Sequence, residues 1–327
     1  MRIAVTAQEG TKDFHFAGAP WDVFRVTLES CGHQVVSVDS NPDFLIMNNF
    51  SRKLQRKSDL TSKESQVLVV WEPPSNKPQN FNQKNLSRFG CVYFPSPIWV
   101  QKYGGKAFMW PQGSIGPQSQ VSWGDRINQF CFIQANRWSL YPGERYSFRR
   151  KVLRSSNEDI AIFGSYWNRG LILDALSACR AFINRRANLR INWSGFKGIG
   201  YSFLNYNGVT KNKIETMGKY KFSLVIENSN EYVSEKLIDA ILAKTVPLYV
   251  GVDLEKCGLP AGIAFSCDAE INSISDAIVT LKNNPKLCST ILENGEKFVK
   301  SKKFMDMQNE VVLQSLAKDI CRFIDAK

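Results

Sequence analysis

The sequence predicts an α/β chain of two Rossmann-like, doubly wound domains facing one another across a ligand cleft. Three observations carry that expectation. Short apolar runs of strand length alternate with amphipathic helical stretches from the second residue onward. The alternation stops between Gly104 and Asp125, where Gly, Pro, Gln and Ser replace any periodicity, and it restarts at Gln129. A chain of 327 residues, 43% of them hydrophobic, holds enough apolar material for two such cores.

In the first half, Arg2–Thr6 reads as a strand. A helix opened by Pro20 and stopped by Gly32 follows, with Trp21, Phe24, Val26 and Leu28 as its apolar positions. Val35–Val38, Phe44–Met47, Val67–Trp71 and Cys91–Phe94 are continuous apolar runs of the kind parallel strands show when both faces are covered. After the irregular stretch, Gln129–Gln134 reads as a strand, Glu144–Arg154 as a helix, Asp159–Phe163 as a strand and Leu171–Phe182 as a helix. Phe222–Ile226, Ser234–Ala243 and Val246–Val250 repeat the strand–helix–strand order. Ile274–Lys282 and Lys286–Lys302 are helical and separated by Pro285, and Asn309–Ile324 is a last amphipathic helix. The expected domains are residues 1–125 and residues 126–305, with residues 306–327 as a C-terminal helix packing back across the cleft.

The net charge of +12 calls for a partner: nucleic acid, an anionic membrane surface or a phosphate-bearing substrate. Two basic clusters stand out, Arg145, Arg149, Arg150, Lys151 and Arg154, then Arg180, Arg185, Arg186 and Arg190. Apart from Arg145, they are expected on solvated helix faces. No nucleic-acid-binding motif accompanies them. The eight cysteines are scattered singly and the two histidines, His15 and His33, are isolated, so neither a zinc site nor a disulfide framework is expected. The opening MRIAVTAQEG lacks a signal-peptide pattern, and no run reaches the roughly 18 apolar residues of a spanning helix. A cytoplasmic protein of reducing surroundings is expected, with a basic surface and last helix suited to peripheral contact with a membrane.

Ligands in doubly wound folds sit beyond the carboxyl ends of the strands. The densest polar cluster in such a position runs from Tyr220 to Gly251. The strand Phe222–Ile226 ends in Glu227 and Asn228, a short polar loop follows, and a helix starts at Ser234 with Glu235 and Lys236 in its first turn. A lysine is unfavourable at that end of a helix dipole, yet beside free backbone amides it suits a phosphate, while the carboxylates suit sugar hydroxyls. An ordinary capped helix start explains the same residues equally well.

This segment resembles the signature of the family-10 glycosyltransferases, the α-1,3/4-fucosyltransferases, and the bacterial members most. The match rests on Glu227, Asn228, Ser229, Tyr232, Val233, Ser234, Glu235, Lys236, Thr245, Val246, Pro247 and Gly251, preceded by VTKNKIETMGKYKFSL at residues 209–224. FIQANRWSLYPGERYSFRRKVL is similar to the segment that opens the family's donor domain. The resemblance implies a GT-B fold and inverting, metal-independent transfer of fucose from GDP-fucose, with no cofactor. It implies an α-1,3 linkage to an N-acetylglucosamine-type glycan acceptor. It places the pyrophosphate arginine at Arg145, GDP-fucose contacts at Tyr232, Glu235 and Lys236, and Glu227 and Asn228 among the groups that position nucleotide and sugar.

Further upstream, VLVVWEPPSN at residues 67–76 is similar to the family's acceptor segment and places the general base at Glu72. An inverting transferase needs such a carboxylate to take the proton of the attacking hydroxyl. The run before Glu72 predicts an apolar setting for it; a turn residue before Pro73 and Pro74 is the plainer alternative. No D-x-D metal motif occurs, and Asp268 and Glu270 stand in a different context. Two other readings remain: the same fold with another nucleotide-sugar donor or linkage, and a basic nucleic-acid- or surface-binding protein.

Overall fold

A computed structural model of the chain describes residues 1–6, 21–52, 54, 62–111, 119–155, 160–185 and 191–327. Pro20, His15, Asp159, Arg186, Arg190 and part of the irregular Gly104–Asp125 stretch lie outside the described residues. The chain divides into two compact units, Met1–Ser114 with Met305–Lys327, and Ile115–Phe304.

The first unit carries β1 (Arg2–Val5), β2 (Gln34–Val36), β3 (Phe44–Asn48), β4 (Gln66–Val69), β5 (Cys91–Phe94) and β6 (Lys106–Ala107). They form one parallel sheet in the order β2-β1-β3-β4-β5-β6. Every residue of β3, β4 and β5 is buried, which is why these strands read as unbroken apolar runs. The Trp21–Ser30 helix ends at Gly32, whose φ of +82° lets the chain turn at once into β2. The Asn309–Asp325 helix also belongs to this unit. Its Leu313, Leu316, Ala317, Ile320 and Ile324 join Phe24, Leu28, Phe44 and Trp71 in one core, and its Asp319 accepts from Tyr93 Oη at 2.8 Å and Lys106 Nζ at 2.9 Å.

The second unit carries β7 (Ile127–Ile133), β8 (Ile160–Phe163), β9 (Tyr220–Ile226), β10 (Val246–Val250) and β11 (Phe265–Ser266), parallel in the order β11-β10-β9-β7-β8. Its core joins Phe130, Phe132, Phe222, Leu224, Ile226, Leu248 and Val250 of the sheet to Ile274, Ile278, Leu281 and Ile291 of two helices, Ile271–Asn283 and Pro285–Val299. Residues from Ser119 to Asp125 pack here rather than with the first unit. Trp123 meets Phe222 edge-on at 6.1 Å. Arg126, buried, donates to Val121 O on one side and to Ala243 O on the other, at 3.1 Å.

Both sheets reverse direction beside their first strand, between β1 and β3 and between β7 and β9. At such a switch point the flanking connections leave to opposite faces, and a crevice opens at the strands' carboxyl ends. The groups that matter chemically should cluster at those ends.

The C-terminal helix completes the first core, so truncating a fully buried side chain on it leaves a cavity. Ile320→Ala is expected to lower the unfolding free energy of the first unit by about 3 kcal/mol. Denaturant titration followed by hydrogen exchange in β1 and β3 checks this; unchanged protection there would place the helix outside the core.

Candidate active site

At the switch point of the second sheet, β9 ends in Glu227, fully buried. Its carboxylate accepts from Ser234 N at 2.9 Å and from Ser234 Oγ at 2.7 Å. Ser234 is the N-cap of the Glu235–Leu242 helix, its φ/ψ of −98°/−179° extended and its oxygen accepting from Lys236 N at 3.4 Å. The anion at this helix start is thus Glu227 itself, and the amides expected to await a phosphate are in part satisfied from within the chain. Lys236 folds back over the same turn. Its Nζ donates to Ser234 Oγ at 2.8 Å and lies 3.8 Å from Glu227 Oε2 and 3.6 Å from Glu235 Oε1. Burial pushes the Glu235 carboxyl up, but the Lys236 and Lys213 ammoniums, with hydrogen bonds from the Glu235 backbone and from Lys236, outweigh it, and the group is held below the usual carboxylate range.

Asn228, next along, works as a relay. Its Oδ1 accepts from Arg149 Nη2 at 2.8 Å and its Nδ2 donates to Tyr232 Oη at 3.0 Å. Arg149 also donates to Ile226 O, the last carbonyl of β9. Arg145 approaches from the same side: its N–H donates to Asn228 O at 3.2 Å and its Nε to Asn230 Oδ1 at 2.7 Å. Both arginines are delivered by the Tyr146–Ser155 helix and the residue before it. Glu144 caps that helix, accepting from Tyr146 N at 2.6 Å and Ser147 N at 3.0 Å. The turn of β7 into this region packs against β8, where Gly164, at φ +118°, lies so close to Gln134 O that a Cβ would sit 2.3 Å from it. Only glycine allows that approach.

The structure therefore brings Arg145, Glu227, Asn228, Tyr232, Glu235 and Lys236 together and adds Arg149. Arg149 and Arg150 are not on a solvated face: they are 2% and 0% exposed. Their environments differ. Arg150 is saturated by neutral oxygens of Lys197, Arg137 and Gly195 at 2.8–2.9 Å and stacks on Trp138, a fixed pin of the fold. Arg145 and Arg149 also meet only neutral oxygens, and among the described residues neither has a carboxylate at ion-pair distance. Arg149 Nε and Ser229 Oγ have no hydrogen-bond partner among the described residues. Burial pulls both guanidiniums below their usual value; Tyr249 and Glu231 near Arg145, and Tyr146 and Glu227 near Arg149, oppose it. Two desolvated cations with unmatched charge favour an anionic ligand.

Glu72 lies in the first unit, beyond β4. Its setting is polar rather than apolar. The buried Asn49 Oδ1 accepts from Trp71 N at 2.9 Å, Glu72 N at 3.0 Å and Asn80 Nδ2 at 2.8 Å. Asn76 Nδ2 donates to Glu72 Oε2 at 2.6 Å, and Glu72 is half-buried. Trp71 is fixed as well, its Nε1 donating to Asn48 Oδ1 at 2.8 Å. These asparagines come from the ends of β3 and from a later loop, which local sequence around Glu72 does not reveal. All eight cysteines are free. Among the described residues no group of three or more His, Cys, Asp or Glu could hold a metal ion.

No protein-family model matches the chain. A 50-residue stretch, 15% of the chain, is 48% identical to the α-(1,3)-fucosyltransferase FucT of Helicobacter pylori and spans 10% of that protein. Among solved structures, an α1,3-fucosyltransferase superposes with a TM-score of 0.53 at 15% identity, covering 100% of this chain and 89% of that one. The Anabaena protein Alr3699/HepE in complex with UDP-glucose superposes with a TM-score of 0.60 at 12% identity, covering 98% and 99%. The chain thus has the two-sheet GT-B fold of such glycosyltransferases, fucosyltransferase-like in architecture.

The Glu227 carboxylate holds the strand end to the helix start, so its loss leaves Ser234 N–H and Oγ–H without an acceptor and Lys236 short of a counter-charge. Glu227→Ala is expected to cost about 3 kcal/mol of stability and to raise hydrogen exchange across residues 228–236. Wild-type exchange in that loop would refute the role.

Proposed function

We propose that the chain is an inverting glycosyltransferase that moves fucose from GDP-fucose to a hydroxyl of a glycan acceptor. The observation that carries this reading is the pair of buried guanidiniums, Arg145 and Arg149, with unmatched charge at the switch point of the second sheet. A nucleoside diphosphate is the ligand that two such forks suit, since each binds two phosphate oxygens at once. Lys236 adds a third cation beside them. Fucose is favoured by the resemblance of residues 220–251 and by the stretch of 48% identity to a fucosyltransferase; a structure of the α1,3-fucosyltransferase with GDP also shares the fold, with a TM-score of 0.51 at 14% identity.

In the proposed reaction the acceptor oxygen forms a bond to C1 of fucose while the bond from C1 to the diphosphate breaks. The acceptor's proton passes to Glu72, and GDP leaves with the bonding electrons. Asn76 holds Glu72 Oε2, which leaves Oε1 to receive the proton. Arg145, Arg149 and Lys236 stabilise the charge that grows on the diphosphate, the part a metal plays in other transferases. Tyr232 and Glu235 contact the donor. Glu227 and Asn228 act one step back, the first by fixing Ser234 and Lys236, the second by orienting Arg149 and Tyr232. The linkage is read as α-1,3 to an N-acetylglucosamine-type sugar.

A second reading keeps the fold and changes the donor. The Anabaena structure bound to UDP-glucose superposes with the higher TM-score, 0.60, and the arginine pair grips a diphosphate whatever base or sugar it bears.

Nucleotide release measured in parallel with GDP-fucose, UDP-glucose and GDP-mannose separates the readings; release from UDP-glucose alone would overturn the first. Glu72→Gln is expected to abolish transfer while GDP-fucose binding persists, and a fully active variant would remove Glu72 as base. Arg149→Met and Lys236→Ala are each expected to weaken GDP binding about tenfold or more, read by calorimetry.

A further inference from the structure

The segment between β8 and β9 carries apolar surface that the donor site does not use. In the Gly170–Arg185 helix, Ile172, Leu176, Cys179 and Ile183 recur at intervals of four, three and four residues, which lines them along one face. That face is open: Ile172 is 75% exposed, Leu176 60% and Ile183 69%, and Cys179 is exposed as well. The other side, with Asp174 and Ala178, is buried. Trp193, 66% exposed, stacks on Phe196 and lies 6.2 Å from Phe182 in the last turn of the Gly170–Arg185 helix.

The charge of the segment is one-sided. Residues 166–209 contain six basic side chains, Arg169, Arg180, Arg185, Arg186, Arg190 and Lys197, and a single acid, Asp174. Asp174 is buried beneath the helix, so the segment offers no carboxylate to solvent. Arg180 and Lys197, both exposed, lie on the same helix as the stripe and just beyond Trp193.

We propose that this face docks on an anionic lipid surface. A helix lying in the plane of a bilayer sinks its aliphatic residues to the boundary of headgroup and acyl chain, keeps Trp at headgroup level and sets Arg and Lys against lipid phosphates. Each of these parts is present. The association is peripheral, since among the described residues no helix is long and apolar enough to cross a membrane. A second copy of the chain is the less suitable occupant. A two-fold contact through the stripe would set the same basic residues against themselves, in a chain that already carries +12. Anionic lipid supplies the opposite charge, and each basic residue near such a surface adds to binding. The proposal does not rest on the donor chemistry.

Sedimentation of the full chain with vesicles tests it. The chain is expected to pellet with phosphatidylcholine vesicles containing about one-third phosphatidylglycerol, and far less with phosphatidylcholine alone. Raising NaCl from about 0.1 M to about 0.5 M should release most of it. The triple variant Ile172→Gln, Leu176→Gln, Ile183→Gln is expected to bind about tenfold more weakly or worse, while Val311→Gln, an exposed change on the C-terminal helix, binds as wild type. Equal binding by the triple variant, or no binding by wild type, overturns the proposal. So does a dimer in analytical ultracentrifugation that the triple variant abolishes, which would make the stripe an interface between copies. If the triple variant fails to fold, the native Cys179 of the stripe, labelled with an environment-sensitive fluorophore in a Cys31→Ser background, replaces it. A blue shift on anionic vesicles supports docking, and an unchanged spectrum refutes it.

Discussion

A carboxylate with no exposure to water must find partners inside the protein, and Glu227 finds them all on the turn that follows it. Ser234 gives it an amide and a hydroxyl, and Lys236 an ammonium. That binding ties the end of β9 to the start of the next helix and so fixes how residues 228–233 run. The consequences spread outward. Asn228 is held where one end of its amide meets Arg149 and the other Tyr232, and its carbonyl receives the backbone of Arg145. Among the described residues, neither arginine has an ion pair of its own. Both are placed by neutral groups whose positions trace back to the Glu227 turn, which leaves their charge unspent.

Arg150 provides a contrast. It sits one residue from Arg149 on the same helix, is equally buried and also lacks an ion pair among the described residues, but backbone carbonyls from three residues and the face of Trp138 surround it. A delocalised guanidinium tolerates that environment as a structural pin. Arg149 has fewer partners and keeps a buried Nε without one among the described residues. Burial alone does not distinguish the two arginines; incomplete satisfaction at a strand's carboxyl end does.

Much of the architecture was legible because parallel strands covered on both faces leave unbroken apolar runs. Val246–Val250 reads directly from VPLYV and is the observed β10, and the Pro285 break separates two observed helices. The polar turn around Glu227 was legible because its residues are close in sequence, within one strand–loop–helix unit. The basic cluster misled for a physical reason. Charges are usually solvated, yet Arg149 and Arg150 lie three and four residues after Tyr146 and four and three before Leu153, all buried. Helical spacing put them on the inner face; only the general preference of charge for water pointed outward. The surroundings of Glu72 were hidden for another reason: Asn49 and Asn80 reach it through tertiary contacts that leave no mark on the apolar run before it.

The same reasoning assigns the net charge of +12 to more than one cause. Arg145 and Arg149 are positive charges inside the fold, with no carboxylate at ion-pair distance among the described residues, and they act at contact range in a medium of low polarity. Arg180 and Lys197, both exposed, act through water, where salt at physiological strength screens beyond about 8 Å. Ionic strength therefore distinguishes them. Association that depends on the outer set fades steeply as salt rises, whereas a diphosphate held between two desolvated guanidiniums loses little, because the ions that would compete cannot enter without paying the same desolvation. In the proposed function and the proposed docking, the chain recognises one anion by depth and another by breadth, and neither recognition depends on the other.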